Sequence, residues 1–192
     1  MSYSSSHHQY REIHIDDQLK LVEPQLKYAQ ASLSWVQATD VIQFMGADFS
    51  NPSLEGEQER IEDIIKNEDE YSWMIECEGR VIGNVCINCI AEKTKEFGRR
   101  AGNLTVLIGD RAYWGKGIGT KVCAVVLDWA FSDGGFETMA ARALQENTAS
   151  IKTMQKLGFA EIGMEPFDGE IHGKKTVWIR MKMERDTWFS KS

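Results

Sequence analysis

Residues 104–131 constrain this chain most. The apolar run Leu104-Thr105-Val106-Leu107-Ile108 is followed by Trp114-Gly115-Lys116-Gly117-Ile118-Gly119-Thr120, and then by apolar residues at Ile118, Val122, Val125, Val126 and Trp129. The first run is too short for a helix, whereas the second set has helical spacing, with only Thr120, Lys121 and Asp128 plainly polar. The three glycines therefore mark a strand-to-helix turn. Their lack of a Cβ lets main-chain N–H groups approach an anion, the helix N-terminus adds partial positive charge, and Thr120 adds a hydroxyl donor. Two familiar phosphate loops do not fit. In a Walker loop Gly109 would have to be one residue closer to Gly115-Lys116, and a Ser or Thr would have to stand at Gly117. In a dinucleotide fingerprint the third glycine comes one residue too soon.

The rest of the chain reads as alternating short strands and helices. Residues 19–23 read as a strand, with another at 10–15, and Pro24 fits the first turn of a helix running to about Gln37. Asn51-Pro52-Ser53 leads into an amphipathic helix over 54–66, with Ile61, Ile64 and Ile65 among acids. Residues 71–77 and 80–90 are strands joined by a Glu78-Gly79 hairpin turn. The charged, Gly-punctuated stretch 92–102 reads as a loop. After the buried helix, Ser132-Asp133-Gly134-Gly135 is a stop and residues 136–144 a strand. Asn147 caps a further helix that ends at Leu157-Gly158, and Phe159 starts another strand. Residues 176–183 alternate Val177, Ile179, Met181 and Met183 against Trp178, Arg180 and Lys182, as in a half-buried strand. At 192 residues, one domain over 1–192 is expected, with tails at 1–9 and 185–192.

Composition excludes several function classes. With 42% hydrophobic and 27% charged residues the chain is globular, and no run approaches the roughly 18 apolar residues of a membrane span. The N-terminal ten residues carry no apolar export segment, so a cytoplasmic location without membrane association is expected. A net charge of -7 argues against a broad nucleic-acid face. Of the four cysteines, Cys86 and Cys89 have CxxC spacing, but neither Cys77, Cys123 nor His7, His8, His14 and His172 supplies a second zinc pair, so buried structural thiols and no metal are expected.

Trp114-Gly115-Lys116-Gly117-Ile118-Gly119 resembles the acetyl-CoA loop, Gln/Arg-x-x-Gly-x-Gly/Ala, of the GCN5-related N-acetyltransferase (GNAT) superfamily. Trp in first position with the Gly-Lys-Gly-Ile-Gly-Thr run resembles the branch of ribosomal-protein N-terminal acetyltransferases (RimJ/RimL-like). A second block, Asn147-Thr148-Ala149-Ser150-Ile151 through Lys156-Leu157-Gly158-Phe159, is similar to the family's N-x-x-S-I followed by K-x-G-F. The resemblance implies a mixed α/β fold: a mostly antiparallel sheet of about six or seven strands with one splayed parallel pair, flanked by about four helices. It implies acetyl-CoA as co-substrate, with Leu107 and Ile108 leaving backbone groups open to the pantetheine arm and Gly117, Ile118, Gly119 and Thr120 amides at the pyrophosphate. Asn147 would contact or order the cofactor, or serve only as a helix cap. The activity implied is transfer of acetyl to a primary amine, of a peptide N-terminus or of a small metabolite, sugar or antibiotic, by direct attack on the thioester. A backbone N–H near Leu107 would stabilise the oxyanion. A homodimer is compatible with this reading.

Two positions depart from the family. Met154 stands where many relatives carry a Tyr acid, leaving Ser150 as the nearest hydroxyl that could serve, with a capping role as its alternative. Asn103 stands where many carry a Glu base, and Glu137, Glu146, Asp168 and Glu170 are candidates by position alone. Releasing a thiolate of pKa near 8.5 at pH 7 without an acid costs only about 2 kcal/mol. Freeing an α-amine of pKa near 8 costs about 1.4 kcal/mol, and a lysine near 10.4 about 4.6. A weak base therefore favours an α-amine or a small-molecule amine over a lysine side chain. The same departures motivate a second reading, a non-catalytic acyl-CoA-binding or sensing module. A larger donor such as succinyl-CoA is a third.

Overall fold

Most strands and helices form where the hydrophobic period puts them, the strands in one sheet and the helices against its faces. The computed structural model describes residues 12–45 and 51–190, so the expected tail over 1–9, the beginning of the strand expected at 10–15, and residues 191–192 lie outside the described residues. The elements are β1 (Ile13–His14), β2 (Leu19–Val22), α1 (Ala29–Val36), α2 (Thr39–Ile42), α3 (Leu54–Lys66), β3 (Tyr71–Cys77), β4 (Arg80–Asn88), α4 (Ile90–Phe97), β5 (Ala101–Ile108), α5 (Ile118–Ser132), β6 (Thr138–Leu144), α6 (Thr148–Leu157), β7 (Ala160–Ile171), β8 (Lys174–Glu184) and α7 (Arg185–Phe189). The sheet runs β1-β2-β3-β4-β5-β6-β8-β7. Its neighbours are antiparallel except β5 and β6, which are parallel.

This is the expected mixed architecture, with eight strands and seven helices among the described residues. The additional elements are short. One corrects the loop expected over 92–102: α4 occupies Ile90–Phe97 and β5 begins at Ala101. The Asp69 carboxylate accepts from the Ala91 N–H at 2.7 Å, Ile90 is buried, and Gly98 closes the helix in the left-handed region. One turn of buried surface was too little to leave a period among the charges.

Side chains divide between two sheet faces. On one, α5 and α6 bring Val122, Val126, Phe131 and Leu157 against Leu21, Ile75, Ile87, Leu104 and Met139. Tyr71, Trp73, Trp129 and Phe136 interlock there, with Trp73 edge-on to Trp129 at 5.1 Å. Trp188 of α7 donates to Asp128 at 2.7 Å and lies beside Phe131. On the opposite face, Trp35 and Val41 cover Val22, Met74 and Leu107. There α1 is tied to α3 through buried Glu57, whose carboxylate accepts from Ser32 and from Arg60. The β3–β4 hairpin turns at Glu78 and Gly79, with φ of 52° and 76°, the two left-handed residues that a tight twisted hairpin needs.

Cysteine placement differs from expectation at one residue. Cys77, Cys86 and Cys123 are buried, but β4 ends at Asn88, and Cys89 is exposed with φ of 53°. Burial pushes the Cys123 thiol up to about 12 and that of Cys86 further still. A water-soluble thiol reagent should therefore titrate one group in the native protein and four in denaturant, and Cys89→Ser should bring the native count to zero. Two or more fast native thiols would contradict this packing.

Candidate functional site

The site begins where two strands stop pairing. β5 and β6 are in register at Ala101↔Thr138, Gly102↔Met139 and Asn103↔Ala140, and nowhere beyond. From there β5 stays with β4 as far as Ile108↔Gly83, while β6 stays with β8 as far as Leu144↔Trp178. A wedge opens between them with its apex at Asn103. Gly83 lets β4 hold the end of β5, because a Cβ there would stand 2.1 Å from the Leu107 carbonyl oxygen.

Ladder alternation decides which backbone groups face this wedge. The Arg100 carbonyl accepts from Glu137 N–H on the β6 side at 2.9 Å, and Gly109 N–H donates to the Ile82 carbonyl on the β4 side at 2.8 Å. Even-numbered β5 residues thus direct their N–H and C=O toward β6, odd-numbered ones toward β4. Val106 and Ile108 present backbone to the wedge, whereas Leu107 presents its backbone to β4 and its side chain to Trp35 and Met74.

The glycine turn lies at the open end. Asp110 caps a 3-10 turn, Arg111–Tyr113, by accepting from Ala112 N–H. Exposed Trp114 donates its indole N–H to the Ile108 carbonyl at 2.6 Å, pinning the turn to the last residue of β5. Gly117, with φ of 75°, is the N-cap of α5, which receives no side-chain cap. Lys121 N–H is the first to find a helical partner, the Gly117 carbonyl, so Ile118, Gly119 and Thr120 amides lie ahead of the ladder at the positive end of a 15-residue helix. Ile118 itself is buried in the core, so only its backbone is available. Gly115, Lys116 and Gly117 are exposed, with the Lys116 ammonium 5.1 Å from the Tyr113 ring centre.

The second motif also has defined geometry. Asn147 caps α6, its side-chain oxygen accepting from Ser150 N–H at 3.1 Å. Ser150 is partly buried in the first turn, whereas Met154 points into the core at 3% exposure, so a large polar side chain is not accommodated in that orientation. Glu146 accepts from Thr176 at 2.6 Å, and Glu137, Asp168 and Glu170 are exposed.

The face of β3, β4 and β5 that carries Trp35 further along is polar at the wedge apex. Register aligns Asn88 with Asn103, and Ser72 with Cys86 and Thr105. Asn103 donates to Asn88 and to Thr105, each at 3.1 Å. This row, absent from the sequence reading, becomes visible only once the strands are paired. Farther along, Trp35, Ala38, Arg80, Gly109 and Arg111 line a cleft of about 620 Å³. Among the described residues no group of His, Cys, Asp and Glu could hold a metal ion, and no helix is long and apolar enough to cross a membrane.

The same architecture recurs in solved acetyltransferases. The microcin C7 self-immunity acetyltransferase MccE, solved with acetyl-CoA and AMP, superposes with a TM-score of 0.76 at 19% identity, covering 88% of this chain and 94% of that one. Spermidine N-acetyltransferase from Vibrio cholerae, solved with CoA and spermine, gives 0.78 at 16% identity over 91% and 99% of the two chains. RimL, a ribosomal L7/L12 α-N-protein acetyltransferase solved with coenzyme A, gives 0.77 at 15% over 92% and 99%. In sequence the chain is 31% identical over 129 residues to the uncharacterized protein MJ1062 of Methanocaldococcus jannaschii, covering 60% of this chain and 23% of that protein. It is 30% identical over 130 residues to the uncharacterized N-acetyltransferase p20 of Bacillus licheniformis, covering 67% and 61%. The match thus spans under two thirds of either relative's length. The family model for the acetyltransferase (GNAT) domain matches residues 18–160, from β2 through α6, and the chain belongs to the GNAT acetyltransferase family.

Proposed function

We propose that this acyltransferase takes its acetyl group from acetyl-CoA and delivers it to a primary amine. The observation that carries this reading is the wedge, whose open end meets the uncapped start of α5. Val106 and Ile108 offer one edge of an unpaired strand, to which a pantetheine arm with its two amides can add as a further strand does. At the far end the Ile118, Gly119 and Thr120 amides receive the pyrophosphate, with Gly115, Lys116 and Gly117 forming the exposed approach and Trp114 fixing it. Asn147 supports the arm from the cap of α6, its side-chain oxygen occupied by Ser150 N–H.

The thioester then lies toward the wedge apex. A neutral amine attacks the carbonyl carbon, the C–S bond breaks as the C–N bond forms, and CoA leaves as thiolate. On strand parity the amide near Leu107 that faces the developing oxyanion is that of Val106, three residues on from Asn103. The buried Met154 supplies no proton, so Ser150 or solvent protonates the thiolate, which needs little help near neutral pH. The preferred acceptor is an α-amine or a small-molecule amine, on the cost difference of roughly 3 kcal/mol against a lysine side chain. The structural relatives whose names specify spermidine and an α-N-protein are both amine acetyltransferases. Asn103 and Met154 favour the second reading, a module that binds acyl-CoA without transfer.

Acetyl-CoA incubated with a panel of peptide α-amines, polyamines, amino sugars and lysine peptides should release free thiol only when an amine is present. At pH 7, α-amines should outcompete lysine ε-amines at least tenfold. Tight binding without thiol release on any amine would establish the binding module. Gly119 has ordinary helical φ and open space around its missing Cβ. Gly119→Asp, placed in that open space, should leave the Tm within a few degrees, since a carboxylate suits the first turn of a helix, yet weaken CoA binding at least tenfold in calorimetry by setting a negative charge beside the pyrophosphate. Unchanged affinity would remove the pyrophosphate from this turn.

A further inference from the structure

The position that usually carries a base is Asn103, yet the structure places a carboxylate in the same transverse row. In β3–β4 register Tyr71 faces Ile87 and Ser72 faces Cys86, so Glu70, one residue before β3, falls opposite Asn88, which in turn faces Asn103. Side chains at 70 and 72 share a face, as do 86 and 88, and 103 and 105. The result is two adjoining rows, Glu70/Asn88/Asn103 and Ser72/Cys86/Thr105, crossing three strands and ending at the wedge apex.

These side chains are joined. Ser72 Oγ donates to Glu70 Oε1, and Asn67 Nδ2 donates to Oε2 at 3.4 Å, which fixes the carboxylate over β3 and β4. The Cys86 sulfur belongs to the row in which Cys86 stands between Ser72 and Thr105, and it accepts from Asn88 at 3.4 Å. Burial, with the Glu70 charge near it, holds Cys86 as the thiol. Asn103 completes the path by donating to Thr105 and Asn88. Ser72 and Cys86 are buried, while Glu70, Asn103 and Thr105 are partly open. Of the neighbouring charges, Asp69 is committed to the Ala91 amide, and Glu92, Lys93 and Arg142 gather around Cys89 at the end of the row.

We propose that Glu70 is the proton acceptor for the incoming amine, acting at a distance of two strands through the Thr105 and Cys86 groups. This rests on the acetyl-transfer reading above. The acceptor enters as R-NH₃⁺ over the apex and gives one proton toward Thr105, whose own proton passes to Cys86, and the Cys86 proton to the Glu70 carboxylate. The neutral amine forms its bond to the acetyl carbon. As the C–S bond breaks, the thiolate takes a proton from Ser150 or solvent as above, the remaining excess proton on nitrogen is released to solvent, which reprotonates Ser150 where that residue was the donor, and Glu70 returns its proton to solvent. Glu70 is thus a positioning residue for the proton, and touches neither the thioester nor the amine.

Glu70→Gln keeps an oxygen for Ser72, so the fold and CoA binding should stand, with Tm and acetyl-CoA affinity unchanged. At pH 7 its kcat/KM for a peptide α-amine should fall at least tenfold. Because the variant depends on free amine supplied by solution, its log rate should climb with unit slope up to the acceptor's own pKa, near 8, and approach wild type above it. Adding Asn103→Glu, which puts a carboxylate at the apex, should restore the rate at pH 7. Wild-type rate and profile in Glu70→Gln, or an equal loss at every pH, would overturn the proposal while leaving acetyl transfer intact. A wild-type protein that transfers acetyl to no amine would overturn both.

Discussion

Everything at the site depends on β5 belonging to two ladders at its start and to one at its end. A strand interior to a sheet has no backbone to spare, since each N–H and C=O is taken by a neighbour. Here β6 follows β8 away from β5 after Asn103, while Gly83 keeps β4 close as far as Ile108. The departure exposes alternate backbone groups in the middle of a folded domain. Such groups are costly when buried without partners, which is why the proposed occupant of the wedge is an extended, amide-bearing ligand.

The second requirement is charge at the wedge mouth, and the chain meets it with backbone. The start of α5 has no side-chain cap, and its core-facing residues, Ile118, Val122 and Val126, fix the helix rigidly against β5. A helix held in that way keeps its first amides aimed at one place. Trp114 links this mouth to the strand by a single hydrogen bond to Ile108, so strand end and helix start are one unit. Lys121, on the helical side of the turn, is already paired with Asp16 at 3.0 Å, leaving the amides and the exposed Lys116 as the positive groups of the turn.

The parts legible in the sequence were those with a strong local code. The β3–β4 hairpin, α3 after its Asn51-Pro52-Ser53 lead-in, α5, and α6 with Asn147 and Gly158 all lie where period and capping chemistry put them. The wedge was expected only through family resemblance, because nothing local in residues 101–108 states which neighbour they keep. The helix α4 was hidden because a single buried residue, Ile90, and a cap from distant Asp69 support it. Cys89 was misread because strand parity was carried one residue past the end of β4. The hydrogen-bonded row from Glu70 to Asn103, contributed by three strands, could not be seen at all, because no local pattern says which strands lie side by side.

Amide hydrogen exchange resolved by residue, with and without CoA, tests the central claim most directly. In the free protein Val106 and Ile108 N–H should exchange fast while Thr105 and Leu107, bonded to β4, are protected. CoA should slow 106 and 108, together with 118–120, and leave 105 and 107 as they were. Equal protection of all four strand amides in the free protein, or no change at 106 and 108 on saturation with CoA, would contradict the account.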